Sequence, residues 1–228
     1  MHIRTLFLIA VFSIPCTGNT EWSLSSPDGR LQATFELTEQ GSPRYTLERD
    51  GVSLILPSPM GLNFEHTRFD HGLVSAAPAQ TDSVSDTYRL WTGKRSNIEY
   101  SANELRLPLN NGDDHLFSIV MRLSNDGFAY RYEFPGTSEE IYRATDESSG
   151  VHFLPGTRAW LQPKANAQTG WSNTNPSYEE DYLQDIPVGT PSPTESGWVY
   201  PALFRHGDTW MLVSETGMDG RYAATNLA

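Results

Sequence analysis

Tyr178-Glu179-Glu180-Asp181-Tyr182 sets three consecutive carboxylates between two tyrosines. Carboxylate oxygens are natural ligands of a hard cation such as Ca²⁺. Carboxylates also run glycoside hydrolysis, one as acid and a second as base or nucleophile. On residue type alone, a solvated acidic loop is the expectation for this string. A second acidic group, Asp113-Asp114, follows Asn110-Asn111-Gly112. Those residue types favour a β-turn on their own account, and a turn is the expectation there. His66, His71, His115, His152 and His206 show no paired spacing of the kind metal ligands take. Glu147 and Glu215 stand near the ends of predicted strands, where structural roles are expected. No nucleophile elbow, phosphate loop or dinucleotide fingerprint occurs.

The elements that would position these groups are strands. Gly and Pro number 18 and 15, a turn-rich composition that opposes long helices. Leu31, Ala33, Phe35 and Leu37 alternate with polar residues; Tyr45 and Leu47 do the same before an Asp50-Gly51 turn and the run 52–56. Phe117, Ile119, Met121 and Leu123 share one face. Asn125-Asp126-Gly127 then turns the chain into Phe128, Tyr130, Tyr132 and Phe134, which predicts a hairpin. Residues 198–204 and 210–214 predict another antiparallel pair. No window shows a helical period, so the reading is all-β, an antiparallel sandwich or barrel. Residues 162–197 break the pattern with five prolines and few aliphatics, yet carry Trp171, Tyr178 and Tyr182. An irregular stretch of that length in a compact domain is usually functional or disordered, and its aromatics, which need something to pack on, argue against pure disorder. Trp198 and Trp210 are expected in the core.

The 228 residues carry 28 acids against 16 bases, a net charge of −12. That excludes nucleic acid, which needs clustered Lys and Arg, and an anionic membrane surface. Residues 1–20 read as a signal peptide: Arg4, then the apolar run 6–14, then Pro15-Cys16-Thr17-Gly18. The run is too short to span a bilayer, and no longer apolar stretch follows, so no membrane span is expected. Cys16 is the only cysteine; a lipid anchor on it is the alternative to cleavage. The destination is periplasmic or secreted, with residues 21–228 as the mature domain.

Several segments resemble glycoside hydrolase family 97. Ser26-Pro27-Asp28-Gly29-Arg30 before an alternating strand is similar to the start of that family's N-terminal domain, and Ser58-Pro59-Met60-Gly61-Leu62 continues the match. Arg122, Asn125-Asp126-Gly127, Ala129 and Tyr130-Arg131-Tyr132 reproduce the spacing of its most specific motif. Glu147, Phe153 and Trp160 follow at family spacing, and Ser214-Glu215-Thr216-Gly217-Met218 resembles its closing strand and turn. The resemblance covers nearly everything after the signal.

It implies an antiparallel β-super-sandwich of the galactose-mutarotase-like, carbohydrate-binding type. Family members are calcium-dependent α-glucosidases and α-galactosidases with a central (β/α)₈ catalytic barrel. Their N-terminal domain lends one glutamate to the active-site Ca²⁺; by motif that residue is Glu179, with Glu180 the alternative one register away. The implied partners are an α-glucoside or α-galactoside and the barrel in cis. The family's barrel would begin where this sequence stops, at Ala228, so the chain alone is expected to hold no catalytic acid or base and to be inactive. A free-standing periplasmic sugar-binding domain and a truncated remnant are the competing readings.

Overall fold

The computed structural model describes residues 20–113, 115–136, 142–165, 181–194, 196–217 and 225–228. The described residues contain no helix, and their strands pair antiparallel, as the period-two pattern predicts. They fall into two compact units.

The first unit holds two sheets. In one, β1 (Thr20–Ser25), β2 (Leu31–Leu37), β3 (Pro43–Arg49) and β4 (Val52–Pro59) lie in sequence order. A short strand β5 (Leu62–Phe64) stands outside it. The second sheet has β6 (Val74–Ser75) and β7 (Gln80–Arg89) on one edge of β8 (Asn97–Asn110), then β9 (Leu116–Ser124) and β10 (Phe128–Glu133). β11 (Ala144–Glu147) pairs with β5. β2 faces β9 and β1 faces β8, so the alternating apolar sides meet as a sandwich core. Phe35, Leu107, Leu109, Phe117, Ile119, Met121 and Leu123 are all buried there.

The residues that carry the family motif build this sandwich. Arg122 pairs with Glu104 across β9 and β8 at 2.5 Å. Asn125 Oδ1 accepts from the Asp28 amide at 3.0 Å, tying the turn after β9 to the turn after β1. Ser124 closes the hairpin by donating its amide to Gly127 O and its hydroxyl to Asp126. Phe128 and Tyr130 pack on Tyr45. Tyr132 is half-buried; its oxygen accepts from Gly61 N at 2.8 Å and meets Ser149 Oγ at 2.9 Å. Burial pushes the Tyr132 phenol well above its ordinary range, so it stays neutral. The motif is scaffold.

β7 and the outer part of β8 have little sequence signature because both of their faces are wet. Asn97–Ser101 pair only with β7, as β8 joins β9 from Ala102 onward. The resulting ribbon ends near Trp91, which is 95% exposed. Asp82 and Asp86 turn their carboxylates onto the amides of Ser83 and Thr87, blunting this long edge strand against pairing with another chain.

The second unit has one four-stranded sheet, in the order β14 (Leu183–Pro187), β13 (Arg158–Pro163), β15 (Trp198–His206), β16 (Thr209–Val213). It also contains Leu54–Leu56, the middle of β4, and β12 (His152–Phe153), which pairs with Leu56 and Ile55 within this unit. The sheet's inner face buries Ala159, Leu161, Trp198, Ala202 and Phe204, and Phe153 stacks on Phe204 at 4.1 Å. β15 and β16 form the expected hairpin. β14 was not visible in the sequence: it lies within the proline-rich stretch and has only Leu183 and Ile186 as strand-like aliphatics.

Candidate functional site

The carboxylate string sits on the connection between β13 and β14. These strands are antiparallel neighbours, with Arg158 opposite Pro187 and Leu161 opposite Leu183. Residues 164–182 therefore leave and rejoin the sheet at one end. Glu179, Glu180, Trp171 and Tyr178 lie outside the described residues; Asp181 and Tyr182, at the return, are exposed.

The departure point is firmly held. Lys164 N donates to Gly197 O at 2.9 Å, Thr194 Oγ1 donates to Lys164 O at 2.6 Å, and Lys164 Nζ reaches Asn226 Oδ1 at 3.1 Å. At the same end, Trp198 and Leu227 exchange backbone hydrogen bonds of 2.7 and 2.9 Å. Thus the base of the carboxylate-bearing connection and residues 225–228 meet at one end of one sheet. At the other end, Arg158 Nε donates to Asp185 Oδ1 at 3.0 Å. Asp185 has φ +53°, a left-handed conformation that Asp tolerates better than most residues.

Other sequence candidates resolve into structure. Asp113 belongs to a turn, its amide donating to Asn111 Oδ1 at 3.0 Å; Asp114 is outside the described residues. Glu215 accepts from the Thr225 amide at 3.1 Å and from its hydroxyl, so it braces residues 225–228. Glu147 is an exposed residue of β11 opposite Leu62. His206 meets the Thr157 hydroxyl at 3.2 Å.

Trp198 is core, 2% exposed, which matches its expectation. Trp210 is not core: it is 51% exposed on the opposite face of the sheet. Its ring packs on Trp160 at 4.8 Å, and the Arg205 guanidinium lies 5.3 Å from its centroid. The expectation failed because Trp210, Met211, Leu212 and Val213 are apolar on both sides of the strand, so alternation could not say which side faces in.

The first unit contains a polar cluster that the sequence reading missed. Asp70 is only 14% exposed and accepts from Arg68 Nη2 at 2.7 Å, Asn63 Nδ2 at 2.9 Å and Ser148 Oγ at 3.3 Å, with His71 Nδ1 at 2.6 Å from its other oxygen. Asn63 uses its own oxygen to accept from Phe69 N. These bonds are spent on holding the loop after β5. Burial acts to raise the Asp70 pKa, but the hydrogen bonds from Arg68, Asn63 and His71 outweigh it and hold the carboxyl well below the usual range. A depressed folded-state pKa contributes stability that is fully present above the unfolded value of about 3.9 and is lost progressively below it, as pH falls through the depressed folded-state pKa. Asp70→Asn is therefore expected to cost about 2 kcal/mol at pH 7 and progressively less as pH falls from about 5 toward 2. Urea titrations at pH 7 and pH 3 measure this; an equal loss at both would rule out the ionised carboxylate as the cause.

Among the described residues no three His, Cys, Asp or Glu side chains are grouped to hold a metal ion. Calcium takes six to eight oxygens, so one loop glutamate does not make a calcium site by itself. No helix among the described residues is long and apolar enough to cross a membrane.

Comparison with known proteins gives a consistent picture. The family described as glycosyl-hydrolase 97 N-terminal matches residues 24–228. A probable retaining alpha-galactosidase of Streptomyces bingchenggensis (strain BCW-1) is 27% identical over 212 residues, covering 92% of this chain and 31% of that protein. The crystal structure of a beta-arabinopyranosidase superposes with a TM-score of 0.81 at 33% identity, over 88% of this chain and 32% of that one. A glycoside hydrolase family 97 enzyme from Pseudoalteromonas sp. strain K8, solved with acarbose, shares the fold at TM-score 0.65 and 20% identity, over 82% and 27% of the respective chains. The chain spans about a third of the length of these relatives.

Proposed function

The chain belongs to glycoside hydrolase family 97, as its N-terminal β-sandwich domain, and from that premise we propose that it is the non-catalytic front module of an exported, calcium-dependent, exo-acting α-glycosidase. In this reading it packs on the (β/α)₈ catalytic barrel of a longer chain and contributes one carboxylate, Glu179, to a calcium site completed by barrel oxygens. The observation that supports it is the β13–β14 connection: the end of β13 and the start of β14 lie at the same end of a sheet, and the acidic string immediately precedes β14 in sequence. A connection tethered at both feet can present a side chain to a neighbouring module at little entropic cost.

The substrate class follows the relatives. One is named an alpha-galactosidase and another a beta-arabinopyranosidase. α-D-Galactopyranosides and β-L-arabinopyranosides share the configuration of every ring carbon bearing a hydroxyl and differ by one hydroxymethyl group. We therefore assign a galacto-configured pyranoside as substrate of the whole enzyme, ahead of an α-glucoside. The residues that choose between them belong to the barrel.

The test is a chimera in which this chain replaces the matched third of the beta-arabinopyranosidase. It should hydrolyse p-nitrophenyl α-galactoside or β-L-arabinopyranoside, and chelation with EGTA should abolish that. Glu179→Gln should raise the calcium concentration for half-maximal activity about tenfold or more, as expected for loss of one charged ligand. Glu180→Gln is the register control and should leave it unchanged. If both variants titrate like the parent, Glu179 is not a ligand.

A further inference from the structure

We propose that the outward face of the β14-β13-β15-β16 sheet, centred on Trp160, Leu203, Trp210 and Leu212, is the surface on which the catalytic portion of the longer chain docks. This rests on the functional reading above and names the contact it leaves unassigned.

The pairing register fixes the face. Trp160 lies opposite Leu203, Leu203 opposite Leu212, and Arg205 opposite Trp210. These side chains alternate with the buried Ala159, Ala202 and Phe204, so they project from the other side of the sheet. A strand that faces water on one side alternates apolar with polar. β16 does not: Trp210 and Leu212 point out while Met211 and Val213 pack against the core, so all four positions are apolar. That is the composition of a strand covered on both faces. Yet Trp210 and Leu212 are 51% and 66% exposed here. Three adjacent strands thus offer a contiguous apolar patch, which marks an interaction surface in a protein of this kind.

The centre of the patch is already organised. The Trp160 and Trp210 rings pack together and Arg205 covers part of Trp210, while the Arg158–Asp185 ion pair lies at the margin. Aromatic and arginine anchors inside a polar margin are the usual anatomy of a protein-protein contact.

Two observations select the occupant. Residues 225–228 run beside this sheet, with Leu227 bonded to Trp198 of β15, so polypeptide continuing from them starts at this sheet's edge. The relatives also carry about two thirds of their length outside the region matched here. The segment with the reach and the area to cover the patch is therefore that remaining portion, in cis.

The test compares the free chain with the same chimera, using 2-hydroxy-5-nitrobenzyl bromide as an indole-directed probe and peptide mass spectrometry as readout. Trp210 and Trp160 should be labelled about fivefold more slowly in the chimera than in the free chain, as anchors desolvated by docking. Trp91, an exposed residue of the first unit's ribbon, is the reference for labelling efficiency. Trp210→Ser with Leu212→Ser should lower the melting of the free chain only slightly, because both side chains are largely exposed there and the main loss is the contact with Trp160, but should cut the folded, active fraction of the chimera about tenfold. A chimera that hydrolyses substrate while Trp210 is labelled as fast as in the free chain overturns the docking face and leaves the functional reading standing. A folded chimera without calcium-dependent hydrolysis overturns the functional reading and this inference with it. Protection of Trp210 in the free chain by galactose or arabinose, absent in the chimera, assigns the face to sugar and overturns docking.

Discussion

Trp198→Ala is expected to destabilise the second unit by about 3–5 kcal/mol, the upper range for truncating a buried aromatic side chain. The indole is 2% exposed and sits among Ala159, Leu161, Ala202 and Phe204. Two of those neighbours are alanines, fully buried and without side-chain length to swing into the space left behind. The cavity therefore stays largely open, and cavity volume is what sets the cost above simple transfer. Trp210→Ala provides the internal contrast: same residue type, adjacent strand, opposite face. Half of its surface is already in water, and in the free chain its loss should cost about 1 kcal/mol or less, mainly the contact with Trp160. Urea titrations followed by far-ultraviolet circular dichroism measure both. Equal costs would mean that Trp198 is not the anchor of that core, or that Trp210 is not outward.

The contrast between those tryptophans shows how far the sequence could be read. β2, β3, β9 and β10 were legible because each has one dry side and one wet side, so apolar residues recur every second position. The ribbon of β7 and outer β8 was not, because both sides are wet and the strands are specified mainly by their backbone ladder. β16 was recognisable as a strand but not as a face, since both sides are apolar. That ambiguity is itself informative: a strand with no polar side in an otherwise half-wet sheet is one that expects a cover.

The candidate site was legible in a different way. The residues around 180 showed carboxylates and tyrosines, and their chemistry alone favoured a solvated loop over a ligand or a catalytic acid. Only the likeness of Arg122 to Tyr132, and of the segments in order around it, singled out Glu179. Those motif residues turn out to be scaffold: Arg122 bridges two strands, Asn125 ties two turns, and Tyr132 supports Gly61 and Ser149. A motif can thus identify a family through the parts that hold the domain together, while the residue proposed to act sits far along the chain from them. The Asp70 cluster stayed hidden for the opposite reason. Asn63, Asp70 and Ser148 are scattered in sequence and become neighbours only once β5 and β11 pair.

Gly41→Ala is expected to be the most damaging single-methyl addition in the first unit. Gly41 ends the turn between β2 and β3 with φ +69°, and a Cβ there would stand 2.5 Å from Leu73 N and 2.6 Å from Leu73 O. Those atoms belong to backbone, which cannot rotate aside as a side chain would. They also take part in the contact that holds the turn: Leu73 N donates to Gly41 O at 3.0 Å and Gly72 N to Gln40 O at 2.9 Å. To admit the methyl the two segments must separate, losing both bonds and loosening Leu73, which is buried at 2% exposure. Left-handed strain costs about 1 kcal/mol and two backbone hydrogen bonds about 1 kcal/mol each, so the expected loss is roughly 3 kcal/mol. Gly29→Ala separates the two causes. Gly29 has φ +72°, yet nothing lies within 4 Å of a Cβ placed there. It should cost only the strain, about 1 kcal/mol. If urea titration finds the two substitutions equal, the close approach of Gly41 to Leu73 contributes nothing, and the 72–73 segment is not held by the β2–β3 turn.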